Sequence, residues 1–173
     1  YMEQESTFDD ETLYHIYNRG VEKRDVFMDD ADYCRFLEGL GGCNTSASFD
    51  SYKLRRELLG GSTSPMQRRS NLQGDRLVDI LCYCLMPNHF HLIVRNNIEN
   101  GIMRFMQKLG TSYTSYFNIR YERSGHLFQG KYKRIEVGTN EQLTYLTAYI
   151  HGNPVFARLA DTPDRWQWSS YKY

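Results

Sequence analysis

The chain has 173 residues, with 21 basic and 21 acidic side chains and therefore no formal net charge at pH 7. Its 40% apolar and 14% aromatic content fits a soluble globular protein with a real core. No apolar run approaches the roughly 18 residues of a membrane span, and the opening YMEQESTFDD lacks the basic-then-apolar pattern of a signal peptide.

In chain order, ETLYHIYNRG alternates and is rich in Tyr and Ile, so it reads as a strand ending at Gly20. Leu13, His15 and Tyr17 share one face; Tyr14 and Ile16 share the other. DDADYCRFLEGLGG carries an Asp cap, apolar residues at helical spacing and a Gly-Gly stop, which predicts a helix. From Asn44 to about Arg76 the chain is rich in Ser, Gly and Arg, and reads as a long mobile insertion in which YKLRRELL could form a short helix. LVDILCYCLM and HFHLIVRN are two strands joined tightly through Pro87 and Asn88. NGIMRFMQKLGTSYTSYFNIRY places Ile102, Phe105, Met106 and Leu109 at helical spacing. SGHLFQG is a Gly-bounded loop, and KYKRIEVG alternates as a strand. NEQLTYLTAYIHGNPV opens on an Asn cap, closes on Gly152 and Pro154, and predicts a last helix. The aromatic tail PDRWQWSSYKY should pack.

This order of six elements, followed by a further helix, matches the β-α-β-β-α-β ferredoxin-like pattern, an α+β fold with an antiparallel sheet. A single domain over 1–173, interrupted at about 44–76, is expected. Tyr1, before Met2, reads as a remnant outside the functional sequence. Cys34, Cys43, Cys82 and Cys84 form neither a CxxC pair nor a zinc-finger spacing, so they read as reduced thiols and a cytoplasmic location is expected.

Charge is unevenly spread. Between Gly101 and Arg134 lie Arg104, Lys108, Arg120, Arg123, Lys131, Lys133 and Arg134, with Glu122 the only acid. Tyr113, Tyr116, Phe117, Tyr121, Phe128 and Tyr132 are interleaved. Cations hold phosphates and aromatic faces stack bases, so the mixture suits single-stranded nucleic acid. From composition alone, a solvated helix face beside core aromatics is the better reading. Lysines at 131 and 133 could equally block aggregation at an exposed strand edge.

His89 and His91 point to one side of their strand, while Phe90, Leu92 and Val94 take the other. Two imidazoles so placed can chelate one divalent metal, or can sit at a sheet rim bonded to backbone and water. In TAYIHGNPV, Tyr149 and Asn153 are four apart and share a helix face if the helix reaches that far. Asn153 could then offer a carbonyl oxygen as a third ligand, although Pro154 argues that it sits at the last turn, where it could simply cap the helix. Tyr149 could be a core aromatic, and Tyr145 is its rival one turn earlier. His15 on the first strand is a candidate to support the metal ligands, or a hydrogen-bonded structural histidine. His126 could touch phosphate or shape its loop. His151 should point away from Tyr149.

YHIYNRG, CLMPNHFHLIV, SGHLFQGKYKR, AYIHGNPV and WQWSSYKY occur in this order over nearly the whole chain, from about Thr12 to Tyr173. Together they resemble the REP-associated tyrosine transposases, a branch of the single-tyrosine HUH transposases. His89, Phe90 and His91 match the family's His-hydrophobic-His triplet. The resemblance implies Tyr149 as the nucleophile and Asn153 as the third metal ligand. Related insertion-sequence transposases often have Gln there, so Asn153 favours the REP-associated branch. It further implies nicking and joining of single-stranded, hairpin-forming repeat DNA through a 5′-phosphotyrosine, with Mg²⁺ or Mn²⁺ as cofactor, by a monomer or homodimer. A non-catalytic hairpin-binding protein that has lost turnover is the alternative, and a phosphodiesterase using water is a third. The 44–76 segment matches no motif of this kind.

Overall fold

The computed structural model describes residues 11–47 and 74–173. The possible helix in YKLRRELL, and most of the expected insertion, lie outside the described residues. Four strands, β1 (Leu13–Arg19), β2 (Val78–Met86), β3 (His89–Asn96) and β4 (Lys133–Val137), form one sheet in the order β2-β3-β1-β4. Every neighbouring pair is antiparallel. Helices α1 (Asp30–Gly42), α2 (Gly101–Arg120) and α3 (Asn140–Phe156) complete the ferredoxin-like order expected from the sequence.

Alternation along the strands gives the sheet two different faces. Ile16, Leu85, Phe90, Leu92 and Val94 bury themselves against Phe36 and Leu40 of α1 and Ile102, Phe105, Leu109 and Tyr113 of α2. Cys82, Cys84, Met86 and Ile93 face the other way and meet Leu143, Leu146 and Ile150 of α3. His15, Tyr17, His89 and His91 belong to this second face, where α3 runs.

Asp29 caps α1, its carboxylate accepting from the amides of Ala31 and Asp32. The sequence placed the cap of α3 on Asn140; Thr139 takes that role, its hydroxyl accepting from Gln142 N. The helix also runs past the expected stop, through Pro154 to Phe156. Proline removes the N–H that would bond Ile150 O. The Asn153 side-chain amide lies there instead, donating to Tyr149 O at 3.0 Å and reaching Ile150 O at 3.5 Å. Tethering by its own amide keeps Asn153 helical, although residues before proline usually avoid that region.

The aromatic tail packs as expected, and it covers the β2 edge. Leu85 N donates to Trp168 O at 2.9 Å, the Trp166 indole N–H donates to Leu85 O at 3.0 Å, and Trp168 stacks on Tyr33 with ring centroids 4.6 Å apart. At the opposite edge, the residues of β4 from Lys133 to Glu136 are exposed. Among the described residues no helix is long and apolar enough to cross a membrane.

Candidate active site

Strand register decides what surrounds the two histidines. In the β1–β3 pair Tyr17 lies opposite His91 and Arg19 opposite His89; across β1, Tyr17 also pairs with Lys133. Paired residues share a face, so Arg19, Tyr17 and Lys133 flank His89 and His91. The rings of His89 and His91 meet edge-on with centroids 5.0 Å apart. His15, Tyr17 and His91 form a three-ring cluster, with the His15 centroid 4.9 Å from Tyr17 and 5.1 Å from His91, and those two 5.8 Å apart.

From α3, the Tyr149 ring stands edge-on to His91 at 6.1 Å between centroids, and 41% of the residue remains exposed. Tyr145, the rival, is 75% exposed, and the ring on His91 is that of Tyr149. A reactive phenol has to be near the site yet reachable by substrate, and Tyr149 meets both conditions. His151 points elsewhere, as expected: its Nε2 is 3.0 Å from Ser170 Oγ and 3.4 Å from Cys82 Sγ, tying α3 to β2 and the tail.

Burial makes the charged imidazole unfavourable and pushes both His15 and His89 down to about 4. His91 falls to about 3, from burial first and then from the charges of His89, His15 and Arg19. All three rings are therefore neutral at pH 7, the form that can donate a lone pair to a metal. His89 Nδ1 is 2.6 Å from Asn88 Oδ1, which can only accept, so Nδ1 carries the proton and Nε2 the lone pair. His91 Nδ1 is 2.8 Å from His15 Nε2, so one edge of His91 is likewise fixed and its Nε2 faces away from that bond. The Asn153 amide nitrogen is committed to the helix, and among the described residues no hydrogen bond engages its Oδ1. Two neutral imidazoles oriented by partners and one amide oxygen are chemically a donor set able to hold a divalent metal. Among the described residues no group of three or more His, Cys, Asp or Glu side chains could hold a metal.

The basic residues divide. On α2, Arg104 donates to Ser46 O at 3.1 Å, and Lys108 to Thr45 O at 2.5 Å and Ala47 O at 2.6 Å. Arg120 pairs with Asp29 at 2.6 Å and Asp32 at 3.0 Å. Just beyond the helix, Arg123 donates to Asn118 Oδ1 at 2.8 Å and lies over the Phe117 ring. These four have intramolecular work. Lys131, Lys133 and Arg134 are exposed, Lys133 on the histidine face and Arg134 over the Tyr14 ring on the other. His126 is exposed, its carbonyl accepting from Arg123 at 3.4 Å. Tyr17 and Arg19 were present in the motif YHIYNRG but received no role from the sequence. Their signal is the pairing register, which needs a fold.

The family model described as Transposase IS200 like matches residues 52–153, more than half of the chain, and the chain belongs to that family. β1, with His15, Tyr17 and Arg19, lies outside the matched span. A solved structure, "Structure of the REP associates tyrosine transposase bound to a REP hairpin", shares the fold with a TM-score of 0.58 and 12% identity, over 95% of this chain and 79% of that one. No curated protein matches the chain.

Proposed function

We propose that this protein is a REP-associated tyrosine transposase, a metal-dependent single-strand DNA endonuclease and strand transferase acting on hairpin-forming repeats. The observation that carries the reading is the exposed Tyr149 ring set against His91, beside two imidazoles held neutral and oriented. His89, His91 and Asn153 would hold the metal, with His15 fixing His91. A divalent ion bound there supplies Lewis-acid polarisation of a phosphate and offsets its added charge. Tyr149 Oη forms a bond to phosphorus and loses its proton. The P–O3′ bond breaks, and the leaving oxygen takes up a proton as a 3′-hydroxyl. The 5′ end stays on the tyrosine, which conserves bond energy for rejoining without ATP.

Lys131, Lys133 and Arg134, on or beside an open strand edge, are free to take DNA phosphates, whereas Arg104, Lys108, Arg120 and Arg123 would have to exchange existing partners. The chain acts in this reading as one transposase-like domain in the cytoplasm, as monomer or homodimer.

The test is a denaturing gel with labelled single-stranded hairpin DNA and Mn²⁺ or Mg²⁺. Wild type should give a protein–DNA adduct that Tyr149→Phe and His89→Ala lack. Cleavage without an adduct would make the protein a hydrolase. Hairpin binding without cleavage in either metal would make it a binding module that has lost turnover.

A further inference from the structure

Arg19 ends β1 opposite His89, which places their Cβ atoms about 5 Å apart on one sheet face. Its backbone is pinned on both sides. Arg19 O accepts from Gln129 N at 2.8 Å, and the next residue, Gly20, donates to Asn88 O at 2.9 Å. A Cβ on Gly20 would collide with Arg24 O, so the chain can turn this tightly only with glycine there. The side chain, by contrast, is exposed. Among the described residues Arg19 has no carboxylate partner, and of the arginines without one it is the one paired across the sheet with His89. Its charge is felt at both His89 and His91. An exposed, unpaired arginine on a pinned backbone beside neutral imidazoles can meet an anion that arrives from outside, and its planar fork matches two phosphate oxygens.

We infer that Arg19 is a substrate-contacting residue of this site, its guanidinium holding a non-bridging oxygen of the phosphate that Tyr149 attacks. The inference rests on the function proposed above. It assigns the arginine to the reacting phosphate, while Lys131 and Lys133 serve phosphates farther along the strand.

The experiment is single-turnover adduct formation at saturating hairpin DNA with Mn²⁺, comparing wild type with Arg19→Ala, Arg19→Gln and Arg19→Lys. Losing one donor to a developing charge should slow Ala and Gln about 100-fold. Lys should restore part of the rate, and hairpin affinity and melting temperature should stay near wild type. With a methylphosphonate at the reacting position the charged oxygen is gone, and the difference between wild type and Arg19→Ala should collapse. An unchanged rate, a loss explained by weaker DNA binding or by a lower melting temperature, or a difference that survives the methylphosphonate would each overturn the assignment. A wild-type protein that forms no adduct would overturn the proposed function and this inference together, so the two failures are told apart in the same lanes.

Discussion

His15 shows how one side chain can orient another. Its Nε2 lies 2.8 Å from His91 Nδ1, and its ring packs on those of Tyr17 and His91. Removing the nitrogen while keeping the ring separates these two contributions. His15→Phe keeps the stack and leaves the buried Nδ1 of His91 without a partner, so His91 can turn or change tautomer. Partners of this kind are worth about 10–100-fold in metal affinity, and Mn²⁺ titration by calorimetry should show a loss of that size with only a small change in melting temperature. An unchanged affinity would reduce His15 to a packing residue. Asn153 carries the complementary lesson. Its amide nitrogen serves the helix around Pro154, so Asn153→Asp, which cannot donate there, should lower the melting temperature even though, in the proposed function, a carboxylate would be the stronger metal ligand.

At the scale of elements, α2 shows how a basic and aromatic stretch can be used within the fold. Its last turn is basic and aromatic, yet these side chains converge on one buried carboxylate. Asp32, with no exposed surface, accepts from Met28 N at 2.8 Å, Tyr116 Oη at 2.9 Å, Tyr121 Oη at 2.8 Å and Arg120 at 3.0 Å. This joins the start of α1 to the end of α2. Asp32→Ala should cost about 3 kcal/mol, the lower end for breaking a buried pair, because Arg120 stays partly in water. Arg120→Ala should also lower the melting temperature in urea or thermal unfolding, whereas Lys133→Ala should leave it unchanged and weaken DNA binding with a smaller salt slope. The elements themselves were readable, because alternation and helical spacing are local: LYHIYNR and HFHLIVRN could hardly be anything but strands. That His89 and His91 share a strand face, and Tyr149 and Asn153 a helix face, was readable because those spacings are local too; the roles proposed for them came from the family resemblance, not from spacing. What could not be read was which residues meet across elements. Tyr17 opposite His91, Arg19 opposite His89, and the carboxylate under Tyr116 and Tyr121 are all long-range pairings. The passage of α3 through Pro154 was missed because a local rule about proline was offset by a side-chain bond.

For the molecule as a whole, the sheet separates a core built from α1 and α2 from a face on which α3 closes only partly over three neutral histidines, and acid should reveal that arrangement. In the unfolded chain these imidazoles take up protons near pH 6.5. In the folded protein His15 and His89 resist until about 4 and His91 until about 3, because burial disfavours the cation. Between these limits the unfolded state binds more protons, so stability is full above pH 6.5 and declines as pH falls toward 4. Each group can contribute a slope of up to about 1.4 kcal/mol per pH unit. The carboxyls of Asp79, Glu141 and Asp164 are also shifted down, but they act at and below the ordinary carboxylate range. The interval from pH 6.5 to 5 therefore belongs mainly to histidine. Urea unfolding of chelator-treated protein at pH 7, 6 and 5 should show progressive loss of stability, and His91→Phe should flatten the curve by about one proton's worth. A flat wild-type curve would mean that water reaches these rings freely. The open half of the face would then be a solvated surface rather than a site kept dry enough for neutral ligands and a phosphate to meet.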